Sequence, residues 1–127
     1  MAKQILVVDD EKTIADTLAA IVRHAGYEAN AFYDARSALA RVDSCTPDLV
    51  ISDVGMPGMN GVDMAVLIRE RYPECKVLLF SGQAATLNML EKAGRRGYNF
   101  QLLAKPIHPT DLLAKVTSLR HESEGIA

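Results

Sequence analysis

Ile5-Leu6-Val7-Val8-Asp9-Asp10, near the amino terminus, decides how the rest of the chain is read. Four consecutive apolar residues are too few for a buried helix and lack the polar alternation of a half-exposed strand. They predict a strand covered on both faces, as in a parallel sheet. Two carboxylates follow at once. The same design recurs in Leu49-Val50-Ile51-Ser52-Asp53, in Val77-Leu78-Leu79-Phe80-Ser81 and in Leu102-Leu103-Ala104-Lys105. The carboxyl ends of parallel strands open on one edge, and ligands of open α/β sheets bind there. Asp9, Asp10 and Asp53 gathered at that edge would repel one another, and a hard cation such as Mg²⁺ among them relieves the repulsion. Ser81 and Lys105 add a hydroxyl and an ammonium at two further strand ends. Together these groups suit the handling of a phosphoryl group.

The segments between these runs read as helices. Ile14, Leu18, Ile21, Val22 and Ala25 recur at helical spacing and Gly26 follows as a stop, which predicts a helix over about 11–25. A weakly patterned strand at 28–32 and a helix at 35–43 come next. The strand at 48–52 runs into Gly55-Met56-Pro57-Gly58-Met59-Asn60-Gly61, whose Gly and Pro content demands a loop. A helix at about 62–71, a strand at 76–81, a helix at 84–93 and a strand at 100–104 complete the alternation. Leu112, Leu113, Val116 and Leu119 form the stripe of a last helix, with Pro109 in its first turn. The expected domain is 1–120, with 121–127 a polar tail. Five βα units without repeats or linkers predict a right-handed, doubly wound α/β fold. Its five-stranded parallel sheet should take the flavodoxin-like order 2-1-3-4-5, which sets the first and third strands side by side.

Composition narrows the class. The chain has 127 residues, 49% of them hydrophobic, which suits one globular core. A formal charge of −2 supplies no basic field, so no direct nucleic-acid binding is expected. Cys45 and Cys75 form no metal-ligand spacing and read as two unpaired thiols of a reducing compartment. No apolar run approaches the roughly 18 residues of a membrane span. The expectation is a cytoplasmic protein that does not engage membranes.

Val7-Val8-Asp9-Asp10-Glu11, Asp53 with the Gly/Pro loop after it, Ser81-Gly82 and Lys105-Pro106-Ile107 stand in order at strand ends. In these motifs, over nearly its whole length, the chain resembles the receiver domain of two-component response regulators, of the single-domain, chemotaxis-regulator-like kind. The resemblance implies a phosphorelay module rather than an enzyme, one that catalyses only its own phosphorylation and dephosphorylation. Asp53 would accept a phosphoryl group from a sensor histidine kinase or phosphotransfer protein. Asp9, Asp10, Asp53 and the Gly55 carbonyl would hold Mg²⁺, Ser81 would bind a phosphoryl oxygen, and Lys105 would pair with the phosphoryl group. A cis peptide bond before Pro106 is implied as well. The phosphorylated form would switch a surface for a downstream protein target, with a homodimer on phosphorylation as one form. Gly55 and Gln83 occupy positions that tune the lifetime of the phosphorylated state. A stand-alone regulator and a receiver excised from a longer protein both fit.

One departure bears on output. Receivers commonly carry Tyr or Phe three residues before the Lys, and here that position is Leu102. Strand periodicity sets Phe100 on the same face, where its ring is either ordinary packing or a substitute on the output surface. The rival from another class is a phosphatase resembling the haloacid dehalogenases, which also uses a strand-end aspartate nucleophile. That family needs a D-x-D pair, whereas Asp9 and Asp10 are adjacent. A pseudo-receiver that binds without phosphorylation is the third reading. Individually, Asp9 and Asp10 could be helix caps, Ser81 a turn residue and Lys105 a solvated charge. Their joint placement favours the site. Asn60 and Asp63 read as caps, Met56 and Met59 as loop packing, His24, His108 and His121 as surface residues, and Arg95-Arg96 as a solvated loop end.

Overall fold

A computed structural model describes residues 3–82 and 86–125. In chain order it has β1 (Gln4–Val8), α1 (Lys12–His24), β2 (Glu28–Phe32), α2 (Ala35–Ser44), β3 (Leu49–Asp53) and α3 (Gly61–Arg71). The order continues with β4 (Lys76–Ser81), α4 (Thr86–Arg95), β5 (Gln101–Ala104) and α5 (Pro109–Gly125). All strand pairs are parallel and the sheet order is β2-β1-β3-β4-β5, as the alternation predicts.

The apolar runs are continuous because helices cover both faces, so every strand residue needs an apolar neighbour. Leu6, Val8, Val50, Val77 and Leu79 face α2, α3 and α4, against Val42, Met64, Ile68 and Ala93. Their neighbours Ile5, Val7, Ile51, Leu78 and Phe80 face α1 and α5, against Leu18, Val22, Leu112 and Val116. Burying each large side chain contributes about 1.5–3 kcal/mol, so the two cores, one on each face, hold the sheet between its helical layers.

Local signals end the helices where expected. Gly26 has φ 102°, and after it Tyr27 N–H donates to the Val22 carbonyl at 3.3 Å while Gly26 N–H donates to Arg23 at 3.0 Å. This is a Schellman closure, which favours glycine in the left-handed position. Gly97, with φ 90°, closes α4 in the same way through Tyr98 N–H to Ala93 O at 2.9 Å. Asn60 caps α3 by accepting from Asp63 N–H at 2.9 Å.

The departures from expectation are at element ends. Asp53 itself is the last residue of β3, because Asp53 still pairs with Phe80 of β4. Phe100 precedes β5, whose first ladder pair is Leu78 with Gln101. The backbone of α5 stays helical through Gly125. The expected start of α4 at Ala84 and the position Gln83 lie outside the described residues, as does the side chain of His121. No helix among the described residues is long and apolar enough to cross a membrane.

Candidate functional site

Register builds the site. Val8 of β1 is level with Ser52 of β3, so the next residues, Asp9 and Asp53, leave adjacent strands side by side. Adjacent strands lie about 4.8 Å apart, which is the reason two carboxylates can meet here without any loop reaching across. Asp9 is fully buried and Asp53 is 5% exposed, while Asp10 is exposed at the rim. Asp9, Asp10 and Asp53 each offer a carboxylate oxygen, and these oxygens lie within 4.8 Å of one another. Lys105, one residue beyond β5, reaches the pair with its Nζ 3.3 Å from Asp53 Oδ1 and 3.5 Å from Asp9 Oδ2. The ammonium also lies 5.2 Å from the centre of the Phe80 ring, a cation–π position. The peptide bond between Lys105 and Pro106 is cis.

Asp9 Oδ1 accepts the Glu11 N–H at 2.9 Å, whereas Asp9 Oδ2 is buried and receives no hydrogen bond. That oxygen has only the Lys105 ammonium beside it at 3.5 Å, and with the Asp10 and Asp53 carboxylates close by it is the donor chemistry a small hard cation takes. The cap reading of Asp9 holds in part, since its oxygen serves the backbone where α1 begins. The residue at the cap position itself is Glu11, and its side chain makes no capping bond.

Burial is the largest influence on Asp9 and pushes its carboxyl from 3.8 up to about 6; the Asp53 charge adds to this, and Glu11 N–H and Lys105 oppose it. Lys105 would be lowered by burial, but the Asp53 and Asp9 carboxylates outweigh that and hold it above its ordinary value. A carboxyl with a raised folded-state pKa contributes stability below its unfolded value, and that stability is lost as pH rises through the folded one. In metal-free buffer the Asp9→Asn variant should therefore gain in Tm on the wild type as pH climbs from 3.8 through about 6. Thermal melts across that range check it. A difference that stays flat with pH would show that Asp9 is not the group titrating.

The loop after β3 wraps tightly. Val54 N–H donates to Phe80 O at 3.1 Å, and the Val54 carbonyl accepts from both Met56 N–H at 3.0 Å and Gly61 N–H at 2.9 Å. Gly58 turns the loop with φ 75°. The sequence suggests that Gly61 serves a turn as well, but its φ is ordinary. A Cβ there would run into the Asp53 carbonyl oxygen and stand 3.0 Å from both the Asp53 carbonyl carbon and Val54 Cα. Glycine is needed for that approach. At Gly82 a Cβ would only touch Lys105 Cβ at 3.5 Å. Gly55 is exposed in the loop and Met56 is buried against the core.

Ser81 ends β4 level with Ala104 and is buried, its Oγ 2.6 Å from Thr86 Oγ1 at the start of α4. Sequence reading passes over Thr86, because a Thr at a helix start is an ordinary residue and only the fold brings its hydroxyl to Ser81. Phe100 and Leu102 share a face, as periodicity predicts, and both pack against the α2–α3–α4 side of the core. The Arg69 guanidinium stacks 5.2 Å over the Phe100 ring, which favours the packing role. Arg96 lies 3.6 Å from Glu70 and Arg95 3.0 Å from Glu91, so both are paired as well as solvated. Cys45 is exposed, Cys75 is buried, and both are free.

A family model described as the response regulator receiver domain matches residues 5–117. Among characterised proteins, the DNA-binding response regulator MtrA of Mycolicibacterium smegmatis is 29% identical over 98% of this chain and 53% of its own length. The nitrogen assimilation regulatory protein NtrX of Azorhizobium caulinodans is 32% identical over 92% of this chain and 26% of its own. The chain thus spans about half, or less, of the length of such relatives. Among solved structures, a CheY-like receiver domain protein of Methanospirillum hungatei superposes with a TM-score of 0.92 at 28% identity, covering all of both chains. Chemotaxis regulator CheY4 of Vibrio cholerae does so with a TM-score of 0.81 at 27% identity, over 94% of this chain and 99% of that one. These likenesses do not favour the haloacid-dehalogenase-like alternative. The strand-end carboxylates, the Lys after β5 and the matched sequence lead to one assignment: the chain belongs to the response regulator receiver domain family.

Proposed function

We propose that the chain takes up a phosphoryl group on Asp53 from a histidine kinase or phosphotransfer protein. The observation that carries the reading is the convergence of Asp9, Asp10 and Asp53 with the Lys105 ammonium at 3.3 Å from Asp53 Oδ1. An Asp53 carboxylate oxygen attacks phosphorus in line, the bond from phosphorus to the donor breaks, and the donor leaves with its electron pair. The difficulty is an anion attacking an anionic donor. Lys105 lowers that barrier by standing beside the acceptor oxygen, and Ser81 offers a hydroxyl to a phosphoryl oxygen. Asp9, Asp10 and Asp53, with the Gly55 carbonyl, would hold Mg²⁺, which when bound supplies the rest of the charge neutralisation. The full set of acids, hydroxyl and Lys argues against a pseudo-receiver. The adjacency of Asp9 and Asp10, where the haloacid dehalogenases need a D-x-D pair, argues against a general phosphatase. Leu102 takes the place of the usual aromatic residue, so the phosphorylated form would signal through the α4–β5 side by smaller rearrangements than a turning ring.

Intact mass after incubation with acetyl phosphate tests this. The protein should gain one phosphoryl group in the presence of Mg²⁺ and essentially none in EDTA. Equal labelling in the two buffers would rule out the metal-assisted reading, and no labelling with any small donor would favour a binding module instead.

A further inference from the structure

Two hydroxyls meet beside the proposed phosphoryl site. Ser81 Oγ and Thr86 Oγ1 are 2.6 Å apart, with Ser81 6% and Thr86 1% exposed, and either can be the donor. Ser81 closes β4 and Thr86 opens α4, so this bond joins the sheet edge to the helix. Ser81 follows Phe80, the register partner of Asp53, and is level with Ala104, the residue before Lys105.

A serine hydroxyl has one proton and two acceptor lone pairs. If that proton goes to Thr86, Ser81 can only accept, and an anion on Asp53 would face lone pairs. If Thr86 donates instead, the Ser81 proton is not taken up by Thr86 and can turn to the anion. Bonds arranged in such a chain strengthen one another in a buried setting. Resting on the phosphorylation of Asp53 proposed above, we infer that Thr86 is a positioning residue. It donates to Ser81 Oγ, so that the Ser81 proton is directed to a phosphoryl oxygen and the first turn of α4 is tied to the occupied site. The relay also gives α4 a link to the site that does not need an aromatic residue at Leu102.

The probe is beryllofluoride with Mg²⁺, whose fluorides stand in for phosphoryl oxygens, titrated by amide and methyl NMR. Thr86→Val keeps the shape and removes the donor, and should weaken beryllofluoride binding about fivefold, the effect of one hydrogen bond. It should also shrink the amide shifts of 86–95. Thr86→Ser keeps the donor and should bind as the wild type does. Wild-type affinity or tighter binding in Thr86→Val overturns the relay, and so does a Thr86→Ser variant as weak as Thr86→Val. Should the Val variant fail to fold, the wild-type Thr86 methyl decides: it must shift on adding beryllofluoride, and an unmoved methyl overturns the inference. A wild type that binds no beryllofluoride would instead remove the phosphorylation reading itself, and the relay with it.

Discussion

Asp53→Ala should gain no phosphoryl group from acetyl phosphate and Mg²⁺ under conditions in which the wild type gains one. The effect is expected to be a loss of at least about a hundredfold in labelling, because the nucleophile itself is removed. The neighbouring carboxylates should not substitute. Asp9 has one oxygen engaged by the Glu11 N–H, and burial raises its affinity for a proton. Asp10 is close to Asp53 but exposed to solvent at the rim, and it is not level with Asp53 on the adjacent strand as Asp9 is. The variant should stay folded, since Lys105 retains Asp9 as a partner at 3.5 Å and the truncated side chain leaves the β3–β4 ladder intact. Intact mass and circular dichroism on the same samples check both points. A folded Asp53→Ala protein that gains the same mass would place the acceptor elsewhere.

Gly61→Ala should destabilise the protein by about 3 kcal/mol or more, at the upper end of what overpacking does. In a domain of this size that is on the order of 10 °C in Tm. The cause is steric. The new Cβ would collide with the Asp53 carbonyl oxygen, while the Gly61 N–H is already bonded to Val54 O at 2.9 Å, so the backbone cannot retreat without breaking the turn. Any relief must move the peptide that carries Asp53, so phosphoryl uptake should fall together with stability. Gly82→Ala is the control, because its Cβ would have only an ordinary contact at 3.5 Å. If Gly61→Ala melts as Gly82→Ala does, the close approach does not constrain the fold.

How much of this was legible beforehand differs by element. β4 is legible to the residue, because an apolar run bounded by Lys76 and Ser81 marks both of its own ends, whereas β2 matches at 28–32 on a weak pattern that marks neither. A strand read over 100–104 includes Phe100, yet a strand begins where its ladder to the neighbouring strand begins. That start is set by β4, whose Leu78 pairs with Gln101. The strand-end acids and Lys105 stood out because each ends an apolar run, a local pattern. Thr86 did not, since its meaning depends on a residue in another element. Composition marks Gly61 as part of a loop, but it cannot show that the backbone there passes over the Asp53 carbonyl.

By itself the sequence determined that this chain makes a five-stranded parallel sheet with acids, a hydroxyl and a lysine along one edge. That information is carried by periodicity and by the residue that follows each apolar run, and both are local. Only the tertiary structure decided which of those groups touch. Strand register set Asp9 level with Asp53, the close of β5 carried Lys105 to both, and the docking of α4 brought Thr86 to Ser81. Contacts of this kind depend on the relative placement of whole elements, and packing of both sheet faces fixes that placement to within the fraction of an ångström a hydrogen bond requires.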